Sequence, residues 1–322
     1  MKVYPYMPEG CLTATPENRA ALSSPEGLRR AMETGQILEA PALLCDNDLR
    51  LHVDLGCMRG IIERDEAVWC RPGERVKDIA VITRVGKPVA FKILRMESED
   101  REPVAILSRR AAQEECAGAF FSTLSPGDLL PARVTHLETY GAFMDIGCGI
   151  SSLLSIDCIS VSRISHPRDR LAVGMNLTVA VKAVDTELRR IFVTLKELLG
   201  SWEENAARFA AGQTVTGRVR SIESYGVFVE LMPNLAGLAE LRGNTGQPVR
   251  TAVGDLAAVY IKSILPERMK VKLVIVDSAP EPEIPVPPKY FVDTAATERL
   301  NYWKYSPAAC TRLIETVFQS HP

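Results

Sequence analysis

The chain has 322 residues, of which 46% are hydrophobic and 24% are charged, with 21 Gly and 21 Pro. These values exclude a wholly disordered chain, a collagen-like rod and a single small domain, and they predict two or three folded units. The 38 Lys and Arg residues nearly balance the 40 Asp and Glu residues, so the net charge is −2. A role with nucleic acid would therefore depend on a local basic face and not on the overall charge.

The motifs of several large function classes are missing from the sequence. There is no run of about 18 apolar residues and no secretory signal at the N-terminus, so we expect a cytoplasmic protein without membrane contact. The eight Cys residues form no CxxC pair and no Cys/His cluster, which predicts buried thiols and no metal site. Because GxxxxGK, HExxH and GxSxG are also absent, we expect no enzymatic activity, no cofactor and no small-molecule substrate.

The first elements in the chain are a short helix and a weak β repeat. Ser24 followed by Pro25 is typical of an N-cap and a first helical position, and it predicts a helix within residues 1–34 that ends before Gly35. Residues 35–109 form the weakest of three related copies.

Two stronger copies of the same pattern follow. Gly127 begins GDLLPARVTHLETYGAFMDIG and Gly212 begins GQTVTGRVRSIESYGVFVELM, in which six residue types recur at one constant offset. The matched pairs are Arg133/Arg218, Val134/Val219, Glu138/Glu223, Tyr140/Tyr225, Gly141/Gly226 and Phe143/Phe228. Such a repeat indicates that residues 127–197 and 212–277 are two copies of one structural unit.

Apolar and polar residues alternate within each copy, which is the period of half-buried strands. A copy of about 65 to 80 residues with four or five short strands suits a closed barrel of the OB type better than an immunoglobulin sandwich. We therefore predict an all-β fold of three tandem five-stranded OB barrels joined by short helices, with a Pro-rich linker and an α-helical C-terminal tail.

Helical patterns occupy the connections between the copies. The linker 110–126 is rich in residues of high helix propensity, which predicts a helix from about Arg109 to Phe121. In the linker 198–211, Ser201 and Glu204 form a capping box. The helix that follows carries Trp202, Ala206 and Phe209 on one face, so we expect it to pack on a neighbouring barrel.

The tail, residues 278–322, combines two signals. It starts with the Pro-rich sequence SAPEPEIPVPPK, which predicts an extended linker. Further on, Ser306 and Pro307 resemble a helix cap, and they predict a helix that carries Leu313, Ile314, Val317 and Phe318.

The residues from Gly127 to Lys196 resemble the RNA-binding repeat of bacterial ribosomal protein S1, which also occurs in polynucleotide phosphorylase. The resemblance lies in YGAF, DIG, the RISHP turn, the glycine before NLTVAV and the closing RIFVTLKE. The copy from Gly212 to Asp277 is similar but more diverged, and the copy from Gly35 to Arg109 is recognisable by VDLG and its closing LSRR. The arrangement is similar to that of the shorter S1-like proteins of some Gram-positive bacteria.

The repeated aromatic residues are the main candidates for function. A protein that reads single-stranded nucleic acid with little sequence preference needs exposed rings beside cationic side chains. Tyr140 and Phe143 would lie on opposite faces of an ideal strand, so we expect a bulge at Gly141 to bring both rings outward. Tyr225 and Phe228 repeat the arrangement.

The resemblance implies further contact residues. In the middle repeat the family's nucleic-acid face corresponds to Tyr140, Phe143, Ser155, Asp185 and Arg190, with Ser155 in place of a His. In the last repeat it corresponds to Tyr225, Phe228, Glu240, Pro266 and Lys270, where Glu240 would repel phosphate. In the first repeat Leu49 and His52 hold the aromatic positions, so that copy is expected to serve protein contacts.

Basic residues near these positions complete the predicted interface. They are Arg133, Arg163, His166, Arg168, Arg170 and Lys182 in the middle repeat, and Arg218 and Lys262 in the last. His166, which precedes Pro167, could instead cap a turn.

These features together predict binding of single-stranded RNA, chiefly by the middle repeat. The resemblance implies a role in translation, in which messenger RNA engages the small ribosomal subunit, with mRNA and small-subunit proteins as partners. The alternative is a protein-interaction adaptor on the ribosome or the RNA-decay machinery with weak RNA binding, which the neutral charge and the weakened first repeat favour.

Overall fold

Three closed five-stranded barrels make up most of the molecule. The computed structural model describes residues 5–70, 75–99, 102–241 and 250–319. In every barrel the first strand pairs with the second and the fourth, the second pairs with the third, and the fifth lies between the third and the fourth. The third and fifth strands are parallel and the other pairs are antiparallel. The prediction of three tandem five-stranded barrels is confirmed.

The first barrel follows two capped helices. These are α1 (Pro16–Leu22) and α2 (Pro25–Thr34), of which α2 has the predicted Ser24 cap and ends at Gly35 with φ 64°. The strands of this barrel are β1 (Leu38–Cys45), β2 (Leu51–Asp54), β3 (Arg59–Ile62), β4 (Pro88–Glu99) and β5 (Glu102–Ser108), with the short helix α3 (Asp78–Ile82) before β4. Alternate strand residues such as Leu51, Phe91 and Leu107 are buried in its core.

The middle barrel packs on the linker helix before it. That helix, α4 (Arg109–Thr123), confirms the helix predicted from Arg109 to Phe121, and its Cys116 and Phe120 belong to the core of the middle barrel. The strands are β6 (Leu129–Glu138), β7 (Gly141–Asp145), β8 (Ser151–Ser155), β9 (Asn176–Asp185) and β10 (Arg190–Thr194).

The third barrel follows a helix that is shorter than the linker 198–211. Helix α5 (Trp202–Ala206) has the predicted capping box, and it buries Trp202 and Ala206 against the third barrel, with Phe209 packed beside them. The strands are β11 (Thr214–Glu223), β12 (Gly226–Met232), β13 (Leu235–Ala239), β14 (Leu256–Leu265) and β15 (Lys270–Ala279). None of the helices in the described ranges has the length and apolar character needed to span a membrane.

Glu9, in the segment before α1, links the first barrel to the middle barrel. The Glu9 carboxylate accepts hydrogen bonds from Arg109 Nε at 2.6 Å, Arg109 Nη2 at 2.9 Å and the Ala90 amide at 3.1 Å. Burial raises the pKa of Glu9, but the charge and hydrogen bonds of Arg109 outweigh this effect, so the pKa lies below its ordinary value. The Glu9 amide donates to Asp145 at 2.7 Å, and burial beside the Glu9 charge raises the pKa of Asp145 to about 7. The two barrels therefore share a buried ionic centre.

The Pro-rich segment after β15 contains no helix or strand, and it is held against the barrels. Arg220 donates to Glu283 at 2.6 and 2.7 Å and to Glu230 at 2.9 Å. Arg170 donates to the same Glu230 carboxylate, and its side chain and that of Arg220 are only 10% and 9% exposed. We call Arg170, Arg220, Glu230 and Glu283 the buried charge cluster. It joins the middle barrel, the third barrel and the Pro-rich segment.

The C-terminal tail forms a hairpin where a helix was predicted. Strands β16 (Tyr302–Lys304) and β17 (Glu315–Val317) pair antiparallel, and residues 290–319 contain no helix. The hydroxyl of Ser306 accepts the Ile314 amide at 2.6 Å, so this residue closes the hairpin and does not cap a helix. The predicted helical tail is wrong.

The tail also returns to the later two barrels. The Leu300 amide donates to the Gly127 carbonyl at 2.8 Å, and the Leu129 amide donates to the Glu298 carbonyl at 2.9 Å. The Tyr305 hydroxyl donates to the Asn234 carbonyl at 2.8 Å. The tail is thus part of the folded body and links the middle barrel to the third.

Candidate nucleic-acid interface

An aromatic pair lies on the outer wall of the middle barrel. Tyr140, in the turn between β6 and β7, is 54% exposed, and Phe143 on β7 is half-buried. Their ring centroids are 6.2 Å apart with planes at 87°, an edge-to-face contact. The strand neighbours Ala142 and Met144 point into the core, so both rings face outward together.

The outward placement of both rings does not need a bulge at Gly141. The pairing of β7 with β8 is continuous from Gly141 to Asp145, and the irregularity of the β6–β7 pair lies between Val134 and His136 on β6. Tyr140 belongs to the turn, so the alternation of strand residues does not apply to it. A Cβ on Gly141 would lie 2.5 Å from the Leu154 carbonyl oxygen. The predicted bulge at Gly141 is wrong, because the glycine permits close approach of β7 to β8.

The outer wall offers more stacking surface than the sequence predicted. His136 is the cross-strand partner of Phe143, and the two rings stack with centroids 6.3 Å apart. On the other side, Phe143 pairs with Leu153 on β8, which pairs with Phe192 on β10. We call Tyr140, His136, Phe143, Leu153 and Phe192 the stacking platform.

The sequence did not lead us to His136, Leu153 or Phe192 as members of the platform. For Phe192, however, the strand pattern contained a signal that could have identified it. Phe192 lies between the buried residues Ile191 and Val193, so strand alternation places it on the outer face. The position of His136 depends on the register shift in β6, which the sequence pattern does not reveal.

Ser155 lies at one end of the platform. The Ile156 amide donates to the Tyr140 carbonyl at 2.9 Å, which holds the end of β8 beside the tyrosine. The hydrogen bond from Ser155 to Asp157 lowers the pKa of the Asp157 carboxyl. The structure therefore brings Ser155 close to Tyr140 and places the Asp157 carboxylate next to it.

Two lysines flank the same end of the barrel. Lys182 on β9 donates to Cys158 Sγ at 3.0 Å, and this hydrogen bond raises the pKa of the lysine. Lys196, which the sequence analysis did not select, donates to the Asp157 carbonyl at 3.1 Å. Both ammonium groups are thus held close to Asp157 and the tyrosine end of the platform.

Asp185 and Arg190 are cross-strand partners in the hairpin of β9 and β10. Asp185 Oδ1 accepts the Leu188 amide at 2.8 Å, so this carboxylate stabilises the turn. Arg190 is exposed and lies two residues from Phe192. Because Arg190 and Phe192 are two residues apart on one strand, both lie on the same outer face.

The predicted basic cluster in the connector before β9 is dispersed. His166 Nδ1 accepts the Arg168 amide at 3.1 Å and caps the short helix Pro167–Asp169, so it serves as a turn cap. Arg170 is buried in the charge cluster and does not face solvent. Arg163 and Arg168 are exposed.

Arg133 is directed away from the tyrosine end of the platform. It lies on β6 seven residues before Tyr140, and its guanidinium is beside Gly10 and hydrogen-bonded to Cys11. Its contacts are therefore with the segment that joins the first two barrels.

The third barrel repeats the aromatic pair. The rings of Tyr225 and Phe228 are 6.1 Å apart at 90°, and Tyr225 is 66% exposed. Leu238 and Lys272 hold the places that correspond to Leu153 and Phe192 in the middle barrel. Ser221, the cross-strand partner of Phe228, holds the place of His136, so this row has two rings fewer than the platform of the middle barrel.

Most of the cations predicted for the third barrel are engaged. Lys262 forms an exposed ion pair with Glu240 at 3.0 Å, and Arg218 donates to the carbonyls of Gly254 and Glu281. Lys270 is exposed at the start of β15, after the turn that contains Pro266. The local field near this aromatic pair is therefore less positive than a count of Lys and Arg indicates.

In the first barrel, the cross-strand partners that correspond to the stacking platform are mainly aliphatic. His52 pairs with Leu44 and Ile61, and Leu49 lies in the preceding turn with φ 61°. The His52 ring is tied to Asp46 at 3.0 Å. No aromatic pair comparable with Tyr140 and Phe143 forms at this place in the described part of the barrel.

Comparison with known proteins gives matches of two kinds. Residues 123–196 match the family model described as S1 RNA binding domain. The small ribosomal subunit protein bS1 of Leuconostoc lactis is 34% identical over 190 residues, which is 55% of this chain and 44% of that protein. The bS1 protein of Pseudomonas aeruginosa is 28% identical over 236 residues, or 71% of this chain and 41% of that one. The chain thus matches less than half the length of each.

Among solved structures, a multidomain protein with nucleic acid binding domains from Streptococcus pneumoniae covers 76% of this chain and 74% of its own. Its sequence identity is 15% and its TM-score is 0.23.

Proposed function

We propose that this chain, as a member of the bacterial S1-like family, binds single-stranded RNA. The binding takes place chiefly through the middle barrel. The observation that carries the proposal is the exposed edge-to-face pair of Tyr140 and Phe143, with Lys182, Lys196 and Arg190 around it. All five residues lie within the segment that matches the S1 RNA-binding domain.

The mechanism we propose is stacking combined with phosphate contact. Unpaired bases lie on Tyr140, Phe143 and His136, and each stacked base contributes about 1 to 3 kcal/mol. Arg190 and the two lysines meet the phosphates between those bases, while the Ser155 hydroxyl reaches a sugar or phosphate oxygen. Binding of this kind tolerates many sequences because every base has a flat face.

We further propose that the three units have different roles. These units are residues 35–109, 127–197 and 212–277. The middle unit binds RNA, the last assists it, and the first makes protein contacts, because its row carries Leu44 and Ile106 where the middle barrel has rings. The relatives named above are small ribosomal subunit proteins. By extension, the RNA is mRNA engaged by the small subunit in the cytoplasm, and the chain performs no catalytic step.

The adaptor alternative has less support from the geometry. A protein that did not bind RNA would have no need to expose a ring that is 54% accessible at one end of the stacking platform. We therefore place RNA binding first and protein contact second.

A direct test is to titrate a labelled oligoribonucleotide into the full chain and its Tyr140→Ala variant. We expect the Kd to rise about 5- to 150-fold, which corresponds to the loss of one stacked base. Tyr140→Phe should bind nearly as well as the wild type because the flat ring remains. Equal affinities for the wild type and Tyr140→Ala would disprove the stacking mechanism.

A further inference from the structure

A small cavity opens where the first barrel meets the middle barrel, on the side of the stacking platform away from Tyr140. Its volume is about 200 Å³, which is below the range of about 300 to 1,000 Å³ that is usual for pockets of small organic ligands. Its lining includes three cations: Arg84 and Lys87 from the loop between α3 and β4, and Arg133 from β6. The size and the cations suit a compact anion such as a phosphate group.

The cavity borders the platform on the outer face of β6 and β7. Arg133 and Asp145, which both line the cavity, pair across these two strands. The next outward pair is that of His136 and Phe143, about 7 Å along the strands. Thr135 also lines the cavity, and its hydroxyl donates to the Phe143 carbonyl at 3.1 Å. An RNA strand that leaves the platform past His136 therefore reaches the cavity.

Two of the cations have few partners in the described part of the chain. The Arg84 side chain is only 24% exposed, and the one hydrogen bond that it forms there goes to Glu9 Oε2 at 3.4 Å. The Lys87 side chain is exposed and has no hydrogen bond or ion pair with these residues. Burial and the charge of Arg109 lower the pKa of Arg84, and burial and the charge of Arg84 lower the pKa of Lys87. A bound anion would offset this excess of positive charge.

The two carboxylates in the cavity wall are buried and already engaged. Glu9 accepts hydrogen bonds from two arginines and one amide, which are those of Arg109, Arg84 and Ala90. Asp145 accepts three backbone amides, which are those of Glu9, Gly147 and Gly149. Because the pKa of Asp145 is raised to about 7, this group carries only part of its charge at neutral pH. The carboxylates therefore do not cancel the charge of the three lining cations.

We propose that this cavity binds one phosphate group of the RNA backbone, beyond the bases stacked on the platform, through Arg84, Lys87 and Arg133. The inference rests on the proposed RNA binding. It gives the first barrel a contact with RNA through residues 83–87, in addition to its protein contacts. Inorganic phosphate has the same chemistry, and the experiment separates the two sources.

The test measures the Kd of two labelled single-stranded RNAs, of 4 and 12 nucleotides, for the full chain at several salt concentrations. One OB barrel covers about 4 to 16 nucleotides, so the short strand occupies the platform alone and the long strand also reaches the cavity. In Lys87→Gln the Kd of the long strand should rise about two- to fivefold. Its slope of log affinity against log salt concentration should become less steep by about 0.7. The short strand should bind as it does to the wild type.

The control is Lys77→Gln, which removes an exposed lysine of the first barrel that does not line the cavity and should leave both strands unchanged. If Lys87→Gln weakens both strands equally, or weakens neither, the assignment of an RNA phosphate to the cavity is wrong.

A calorimetric titration with inorganic phosphate distinguishes the second source. If Lys87→Gln weakens the binding of inorganic phosphate and leaves the long RNA unchanged, the cavity holds a free anion and the proposal fails. Tyr140→Ala separates this failure from failure of the proposed function. If it still weakens both strands, the platform stands and only the cavity assignment fails, whereas no effect on either strand would overturn the proposed function itself.

Discussion

At the scale of single residues, two glycines decide how the aromatic pairs are presented. A Cβ at Gly141 would lie 2.5 Å from the Leu154 carbonyl oxygen, and one at Gly226 would lie 2.7 Å from the Ala239 carbonyl oxygen. Each glycine follows the exposed tyrosine of its barrel. In each of these two barrels the second and third strands approach closely at the glycine. This contact fixes the residue at which the second strand, which carries the phenylalanine, begins.

Gly141→Ala should lower the free energy of unfolding by about 1 to 3 kcal/mol, since the added methyl group must displace backbone that is already paired. The matched control is Gly118→Ala in α4, where a Cβ meets nothing within 4 Å. That change should raise the free energy of unfolding by about 0.5 to 1 kcal/mol through helix propensity. Urea denaturation of the two variants measures both effects. An unchanged unfolding curve for Gly141→Ala would show that the strands are not held so closely.

At the scale of elements, the buried charge cluster holds the connector of the middle barrel, β11, β12 and the Pro-rich segment together. Its four charges alternate in sign, and its two arginines share Glu230 and Glu283. Removal of one carboxylate leaves buried cations with too few partners, which costs far more than the loss of a pair in water.

Glu230→Gln should therefore destabilise the protein by about 3 kcal/mol or more. The contrasting variant is Glu240→Gln, which breaks the exposed pair with Lys262, where the side chains are 60% and 55% accessible. That loss should cost less than about 1 kcal/mol. Thermal and chemical denaturation of both variants provides the comparison, and similar losses would contradict the distinction between the two pairs.

Sequence reasoning succeeded where the signal was local and failed where the partner was distant. Strand alternation, the repeated YG pairs and the Ser201 cap are local, and they predicted the barrels and the linker helices. Leu313 and Val317 have helical spacing, yet they are 59% and 51% exposed and their segment pairs with β16 instead. Arg170 looked like a surface cation because its partner, Glu230, is 60 residues away.

At the scale of the whole molecule, the nearly neutral charge limits the electrostatic part of RNA binding. Three cations, Lys182, Lys196 and Arg190, stand around the platform. If each neutralises one phosphate, the plot of log affinity against log salt concentration should have a slope of about −2.

Lys182→Gln should make that slope less steep by about 0.7, and it should weaken the binding of single-stranded RNAs of different sequence to the same extent. Titrations at several salt concentrations give both slopes. A slope steeper than about −5 for the wild type would mean that many more cations meet the RNA than the platform supplies.

The route of the tail has a consequence for the newly made chain. The amide of Leu129, at the start of β6, finds its acceptor on Glu298. This acceptor is synthesised about 170 residues later, roughly 8 to 35 s at usual rates of protein synthesis. Once β10 has been completed at Thr194, the nascent middle barrel has all its own strands, but its Leu129 amide still lacks the Glu298 acceptor. The last step in its maturation therefore waits for a segment made after the entire third barrel.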